Sequence, residues 1–249
     1  MRVEAGDNVL IAGFIVGGSD HKRIIIRGIG PSLAAFGVPD SLQDPVLEMN
    51  ADGAGLIATN DNWVENPNAA EILATGLAPV SPNESAVLLS VAPGSYTAVL
   101  RGKGGSTGTG LVEVYDLDAH GPAEVVNIST RGFVLAGDNV MIGGLIVTGN
   151  DQSRLVLRGI GPSLGNFGVT DVLADPVLEL HDGNGALLQA NNDWRDSQEL
   201  ALQSTGLAPT HNLESAMLIS LPPGTYTAVL KGADGGTGNG LVEVYKLTP

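Results

Sequence analysis

The heptad Arg-Gly-Ile-Gly-Pro-Ser-Leu stands at residues 27–33 and again at 158–164. Glycines around a turn beside an arginine can hold an anion, and two copies would make two sites. The alternative is a corner that the fold needs twice. A dinucleotide fingerprint wants G-x-G-x-x-G at the opening of a helix. Here Leu33 takes the place of the third glycine, and Pro31 directly follows the second. The glycines therefore read as the means of turning out of a strand, with proline stiffening the exit. Arg27 and Arg158 are the candidate contacts for an anion, a glycan or a neighbouring chain. As structural residues, each is expected to pair with a carboxylate of its own repeat, Glu48 and Glu179.

Carboxylates offer a second chemistry. Asp44, Glu48, Asp52 and Glu84 have counterparts at Asp175, Glu179, Asp182 and Glu214, and Asp61 shifts by one place to Asp193. The loops "NDNW" and "NNDW" place Asp61 and Asp193 among oxygen donors, a set suited to Ca²⁺. The spacing of an EF-hand is absent, and Asp and Asn also cap turns. Calcium at Asp61 and Asp193 is thus the one cofactor expectation. "RGKGGSTGTG" (101–110) lacks the leading glycine of a phosphate loop, and the second copy has no lysine there. It reads as a mobile loop. The four histidines, His21, His120, His181 and His211, have no histidine counterparts in the other copy. No H-x-x-x-H pair and no G-x-S-x-G occur, which argues against a local zinc site and a nucleophile elbow. Trp63 matches Trp194, Tyr96 matches Tyr226, Tyr115 matches Tyr245 and Phe36 matches Phe167. Rings repeated at one module position read as core anchors rather than as an open sugar platform.

The elements behind these residues follow from composition and repetition. The chain has 249 residues, 35 glycines, no cysteine and a net charge of −15. Such acidity repels nucleic acid. The lack of cysteine excludes disulfides and thiolate chemistry. No apolar run is long enough for a membrane-spanning helix. "VLIAGFIVGG" (9–18) is short and glycine-broken, without a basic leader or cleavage box, so it does not read as a signal peptide. An export signal would lie outside this chain.

Seven motifs recur in order: GDNV, RGIGPSL, DPVLE, TGLAP, ESA, YTAVL and GLVEVY. The offset is 131 from residue 27 to 158 and 130 from residue 110 to 240, a period as long as a domain. The expected division is a first module over 1–118, a polar Gly-Pro linker over 119–124 and a second module over 125–249. Within each copy the pattern is short β-branched strands between glycine turns. "PVLELHDGNGALLQANNDW" reads as a hairpin. "SYTAVLRGKGGSTGTGLVEVYDL" reads as another, with a long glycine loop. One short helix is expected per copy, capped by Asn66 before Pro67 and by Ser197, and stopped by Gly76 and Gly206. The second copy is preceded by "VVNIST" (125–130), which the first lacks, so the first is expected to have an unpaired edge or to belong to a longer array.

The ordered set RGIGPSL…DPVLE…NDNW…TGLAP…ESA…PGSYTAVLRG…GLVEVY resembles a module repeated in tandem in very large secreted or surface proteins of environmental bacteria. The likeness covers nearly all of both copies. The back half also resembles bacterial pre-peptidase C-terminal domains, which are jelly-roll-like β-sandwiches. These resemblances imply an accessory module and supply no catalytic residues. The expected fold is all-β: two tandem β-sandwich modules, jelly-roll-like, each with one short helix. The expected function is a non-enzymatic structural or adhesive repeat, extracellular or on the cell surface. It would self-associate through an exposed strand edge or join neighbouring modules of the same array. The alternative is a carbohydrate-binding or secretion-associated accessory module of a larger secreted enzyme, with a polysaccharide as partner.

Overall fold

The computed structural model describes residues 1–6, 8–118, 121–137 and 139–247. The chain separates into two compact units, Met1–Val126 and Asn127–Pro249. Both are all-β apart from one α-helix and short 3-10 turns each.

The first unit contains β1 (Arg2–Val3), β2 (Leu10–Gly17), β3 (Lys22–Ile29), β4 (Pro45–Ala51), β5 (Gly55–Asn60), α1 (Ala69–Ala74), β6 (Ser85–Val91), β7 (Gly94–Gly102), β8 (Gly108–Thr109) and β9 (Leu111–Asp116). Its antiparallel ladders run β2-β7-β4-β5 in one sheet and β6-β3-β9 in the other, with β1 on β8 as a short extra pair. The second unit takes the later part of β10 (Glu124–Val134), then β11 (Met141–Val147), β12 (Ser153–Ile160), β13 (Pro176–Asp182), β14 (Leu187–Asn191), α2 (Glu199–Ser204), β15 (Ser215–Leu221), β16 (Gly224–Gly232) and β17 (Gly238–Lys246). Its sheets are β11-β16-β13-β14 and β15-β12-β17-β10.

Each unit is a sandwich because each sheet has an aliphatic face that only the other sheet can cover. In the first unit β3 faces β4 and β7: a Cβ on Gly28 would meet Leu100 and Leu47. Gly159 faces Leu230 and Leu178 in the same way. The consecutive Ile24, Ile25 and Ile26 are all fully buried. Strict alternation fails there because β3 is covered on both sides. Its second face, with Ile25, packs with Ala86, Leu88 and Ile72 of α1.

Three expectations change. The boundary between units falls inside β10, not across residues 119–124. Ala119 and His120 lie outside the described residues. Beyond them, Pro122 and Ala123 pack on Gly18, where φ is +99° and an added Cβ would lie 2.3 Å from the Pro122 carbonyl oxygen, so there is no room for a side chain. Next, β7 and β9 are not a hairpin. β9 pairs with β3 and β7 pairs with β2 and β4, so the glycine loop crosses between sheets. The β13–β14 hairpin does form around its Asp-Gly-Asn-Gly turn. Lastly, the helices start later than read. Asn68 and Gln198 precede α1 and α2 without a side-chain cap. Asn66 instead accepts from the Asn68 N–H and donates to the Ala86 carbonyl. Gly76 and Gly206 follow the helices at φ values of +73° and +72°, a left-handed stop.

Candidate functional site

The Gly-Ile-Gly-Pro-Ser turn does bind an anion, and the anion is the protein's own. Gly30 precedes a 3-10 turn over Pro31–Phe36. The N–H groups of Gly30 and Ser32 donate to Oε1 of Glu84 at 3.1 and 2.9 Å, and the Ser32 hydroxyl donates to it at 2.5 Å. Oε2 accepts the Ser81 N–H at 3.2 Å. Glu84 is fully buried. Its carboxylate satisfies donors at the start of the turn that would otherwise be orphaned. Gly30 cannot be replaced: a Cβ would lie 2.0 Å from the Leu42 carbonyl oxygen. Glu214 repeats the arrangement with Gly161, Ser163 and His211. The recurring "ESA" marked these glutamates as paired across copies, but nothing in spacing tied them to a turn more than fifty residues earlier.

Arg27 lies beside this turn and is also engaged. Its Nε and Nη2 donate to one Glu113 oxygen at 2.8 and 2.5 Å, Nη1 donates to the Leu77 carbonyl at 2.8 Å, and Nη2 reaches the Tyr115 hydroxyl at 3.2 Å. The guanidinium carbon sits 5.0 Å from the Tyr115 ring centroid. Arg158 makes the same set with Glu243, Leu207 and Tyr245. The expected partners Glu48 and Glu179 are not used. They lie on the opposite sheet, where Glu48 meets Arg101 and Glu179 meets Lys231 and His181. Glu113 is instead the residue directly across the β3–β9 ladder from Arg27. The cluster fastens the segment after α1 to the sheet. Burial, then the neighbouring Glu243 carboxylate, pushes the Tyr245 phenol up to about 12.

The carboxylates proposed for calcium divide by copy. In the first unit Lys103 Nζ lies 2.5 Å from Asp61 and 3.7 Å from Asp44, so a side-chain cation already holds the pair. The Lys103 ammonium is raised above its usual value, chiefly by its bond to Asp61. Asp44 is also raised, by burial first and then by Asp61. In the second unit the lysine's place is Ala233. Oδ1 of Asp175 and Oδ1 of Asp193 are buried without a hydrogen-bond partner, as are Oδ1 of Asp44 and Asp61. Burial, then Asp196 and Asp175, raises Asp193. Among the described residues no group of three or more His, Asp or Glu is arranged to hold a metal ion.

The rings also divide. Trp63 and Trp194 belong to the helix-side clusters, and their Nε1 atoms donate to the carbonyls of Ser81 and His211, both at 3.1 Å. The buried Tyr96 stacks on Phe14, with centroids 5.2 Å apart. Phe36 and Phe167 depart from the core-anchor reading: they are 84 % and 83 % exposed. Each ends the 3-10 turn that follows the glutamate cradle. An open depression of about 450 Å³ in the second unit is lined by Leu135, Val177, Lys231 and the glycine loop. It includes none of the arginine or aspartate candidates.

No family model matches the chain, and no curated protein matches it. Solved structures align along its length at low similarity. One is the atomic structure of Sulfolobus Turreted Icosahedral Virus, at 10% identity and TM-score 0.28, covering 99% of this chain and 88% of that one. Another is the major capsid protein P2 from Bacteriophage PM2, at 10% identity and TM-score 0.25, covering 100% of this chain and 98% of that one. Likeness at this level carries no argument about what the chain does.

Proposed function

We propose that the chain is a non-enzymatic structural module, a building block of an extracellular or cell-surface assembly. One observation carries this reading. The anion-holding turns and the two arginines are closed, in both units, on partners of the same unit. The turn N–H groups hold Glu84 and Glu214, and the guanidinium groups hold Glu113 and Glu243. These polar clusters tie strands and helices together, which suits a rigid unit used for its shape. Acidity and the absence of cysteine are compatible with an extracellular setting, and the tandem resemblance points the same way. Light scattering and negative-stain microscopy of the purified chain test the proposal. Ordered oligomers or polymers are expected. A strict monomer at high concentration would overturn the assembly reading.

A carbohydrate-binding role is the second reading, and one observation favours it. Phe36 and Phe167 present exposed rings at the same place in both units. Exposed rings of this kind offer stacking surfaces to sugars. Saturable polysaccharide binding that is lost in the Phe36→Ala and Phe167→Ala double variant would support it. Binding that survives in that variant would remove the rings from the site.

A further inference from the structure

The glycine loop after β7 recurs after β16 with a shorter side chain at its start. The backbone is held alike in both units. The Lys103 N–H donates to the Asp44 carbonyl at 2.9 Å, and the Ala233 N–H donates to the Asp175 carbonyl at 2.8 Å. Gly102 and Gly232, just before them, have φ of −85° and −82°. The Cβ of Ala233 therefore stands where the Cβ of Lys103 stands, and the side chain ends there. In the first unit the lysine runs on to Oδ2 of Asp61 at 2.5 Å and Oδ2 of Asp44 at 3.7 Å. In the second unit the depression of about 450 Å³ lies over Ala233, with Asn192, Leu135, Val140 and Val177 in its lining. The neighbouring cation changes too. Arg101 donates to the Gly6 carbonyl at 3.0 Å, whereas Lys231, in its place, is held by Glu179 at 2.5 Å.

The groups beside Ala233 are acidic. Asn192 takes the place of Asp61, because Asn60 and Asn191 make the same bond, to the carbonyls of Asn62 and Asp193. Asp193 is next in the chain, and Asp175 takes the place of Asp44. Oδ1 of Asp175 and Oδ1 of Asp193 are buried without a partner, as in Asp44 and Asp61. The first unit answers this with the Lys103 ammonium. Among the described residues of the second unit the ion pairs are those of Arg158, His181, Arg195 and Lys231, and none includes Asp175 or Asp193. After burial, the charges that raise Asp193 are those of Asp196 and Asp175. A carboxylate with one oxygen taken out of water is costly to leave without a cation. Apolar walls next to such a group suit a hydrocarbon stem that ends in an ammonium. A metal ion suits it less, because among the described residues no group of three or more His, Asp or Glu is arranged to hold one.

We infer that the depression over Ala233 binds a primary alkylammonium group, which takes the position that the Lys103 side chain takes in the first unit. Its methylenes lie along Leu135, Val140 and Val177. Its ammonium donates to the Asp175 carboxylate and to the side-chain oxygen of Asn192, the residues in the places of Asp44 and Asp61, and Asp193 adds a second charge beside them. The first unit is closed to the same ligand by its own lysine. A free amine and a lysine side chain of a partner carry the same chemistry. This site goes beyond the structural-module reading and does not depend on assembly.

The test titrates n-butylammonium chloride into the intact chain and follows the backbone amide shifts by NMR. Saturable shifts are expected at residues 192–193 and 231–236 and none at 101–106. The Kd should be millimolar, since a partly exposed ion pair and a short stem each contribute little. n-Butanol, the same stem without the charge, should give no such shifts. Ala233→Lys should weaken binding at least about tenfold by placing an internal ammonium in the site. Lys103→Ala should do the reverse and open a second site at 101–106. Both positions lie outside the core, and the amide shifts of the core strands show that each variant folds. Nα-acetyl-lysine methylamide is the second arm. Binding tighter than that of butylammonium assigns the site to a partner's lysine, and weaker binding assigns it to a free amine. No saturable shift at 231–236, an equal response to butanol, or undiminished binding in Ala233→Lys would overturn the inference. So would Ca²⁺ shifting these residues where butylammonium does not.

Discussion

Glu84→Gln is expected to destabilise the first unit by about 3 kcal/mol while leaving the second unit unchanged. Glutamine matches glutamate in shape, so no cavity opens. Three donors converge on Oε1: the Gly30 N–H, the Ser32 N–H and the Ser32 hydroxyl. A hydrogen bond to a charged group contributes about 1.5–3 kcal/mol and a neutral one about 0.5–1.5 kcal/mol. Losing the charge at three bonds therefore costs about 2 kcal/mol after discounting for non-additivity. At the other end the glutamine NH₂ would face the Ser81 N–H at 3.2 Å, donor against donor. Leaving that buried group unmatched adds about 1 kcal/mol. For a unit of this size the sum lowers the melting temperature by about 8–15 °C. Each unit carries one tryptophan, and hydrogen exchange by mass spectrometry reads the units separately. β3 and β6 should lose protection while β12 and β15 keep it, and Glu214→Gln should give the mirror result. A cost below about 0.5 kcal/mol, or equal losses in both units, would refute the cradle as the element that fixes the corner.

Further expectations follow from the paired clusters. Arg158→Lys should destabilise the second unit by about 1–3 kcal/mol in chemical denaturation, since an ammonium group cannot reproduce the double contact to Glu243 and the bond to Leu207 together. Tyr245 should titrate at about 12 in ultraviolet difference spectra, and Glu243→Gln should bring it down. Because this folded value exceeds the ordinary 10.0, its contribution to stability is complete below pH 10 and is lost as pH rises through about 12. Ala233→Lys should raise the melting temperature of the second unit by roughly 1–3 °C at pH 7 by supplying the bridge that Lys103 gives the first. The gain should vanish in acid: Asp193 is raised, so its ionisation opposes folding as pH rises, and below the ordinary carboxylate range no charge remains to neutralise. Millimolar Ca²⁺ should leave the melting of the first unit unchanged, since Lys103 already holds Asp44 and Asp61.

Repetition, β-branched runs and glycine spacing determined the coarse answer by themselves. Two copies of one all-β module, the β13–β14 hairpin and the left-handed helix stops at Gly76 and Gly206 are local patterns that need no distant partner. The absence of a third glycine after residue 30 was also enough to discard a dinucleotide loop. Partner choice was not legible. Glu48 and Glu113 are equally plausible mates for Arg27 along the chain, and only the β3–β9 ladder places one of them directly opposite it. The same holds for the turn at Gly30, whose ligand, Glu84, comes from 54 residues away. Identical sequence even failed to determine environment. Val112 and Val242 stand in the same hexapeptide, yet one is half open and the other buried, because burial belongs to the neighbouring strand. Local pattern sets which elements form, while the enclosure of each side chain is a property of the sheet order that brings distant strands together.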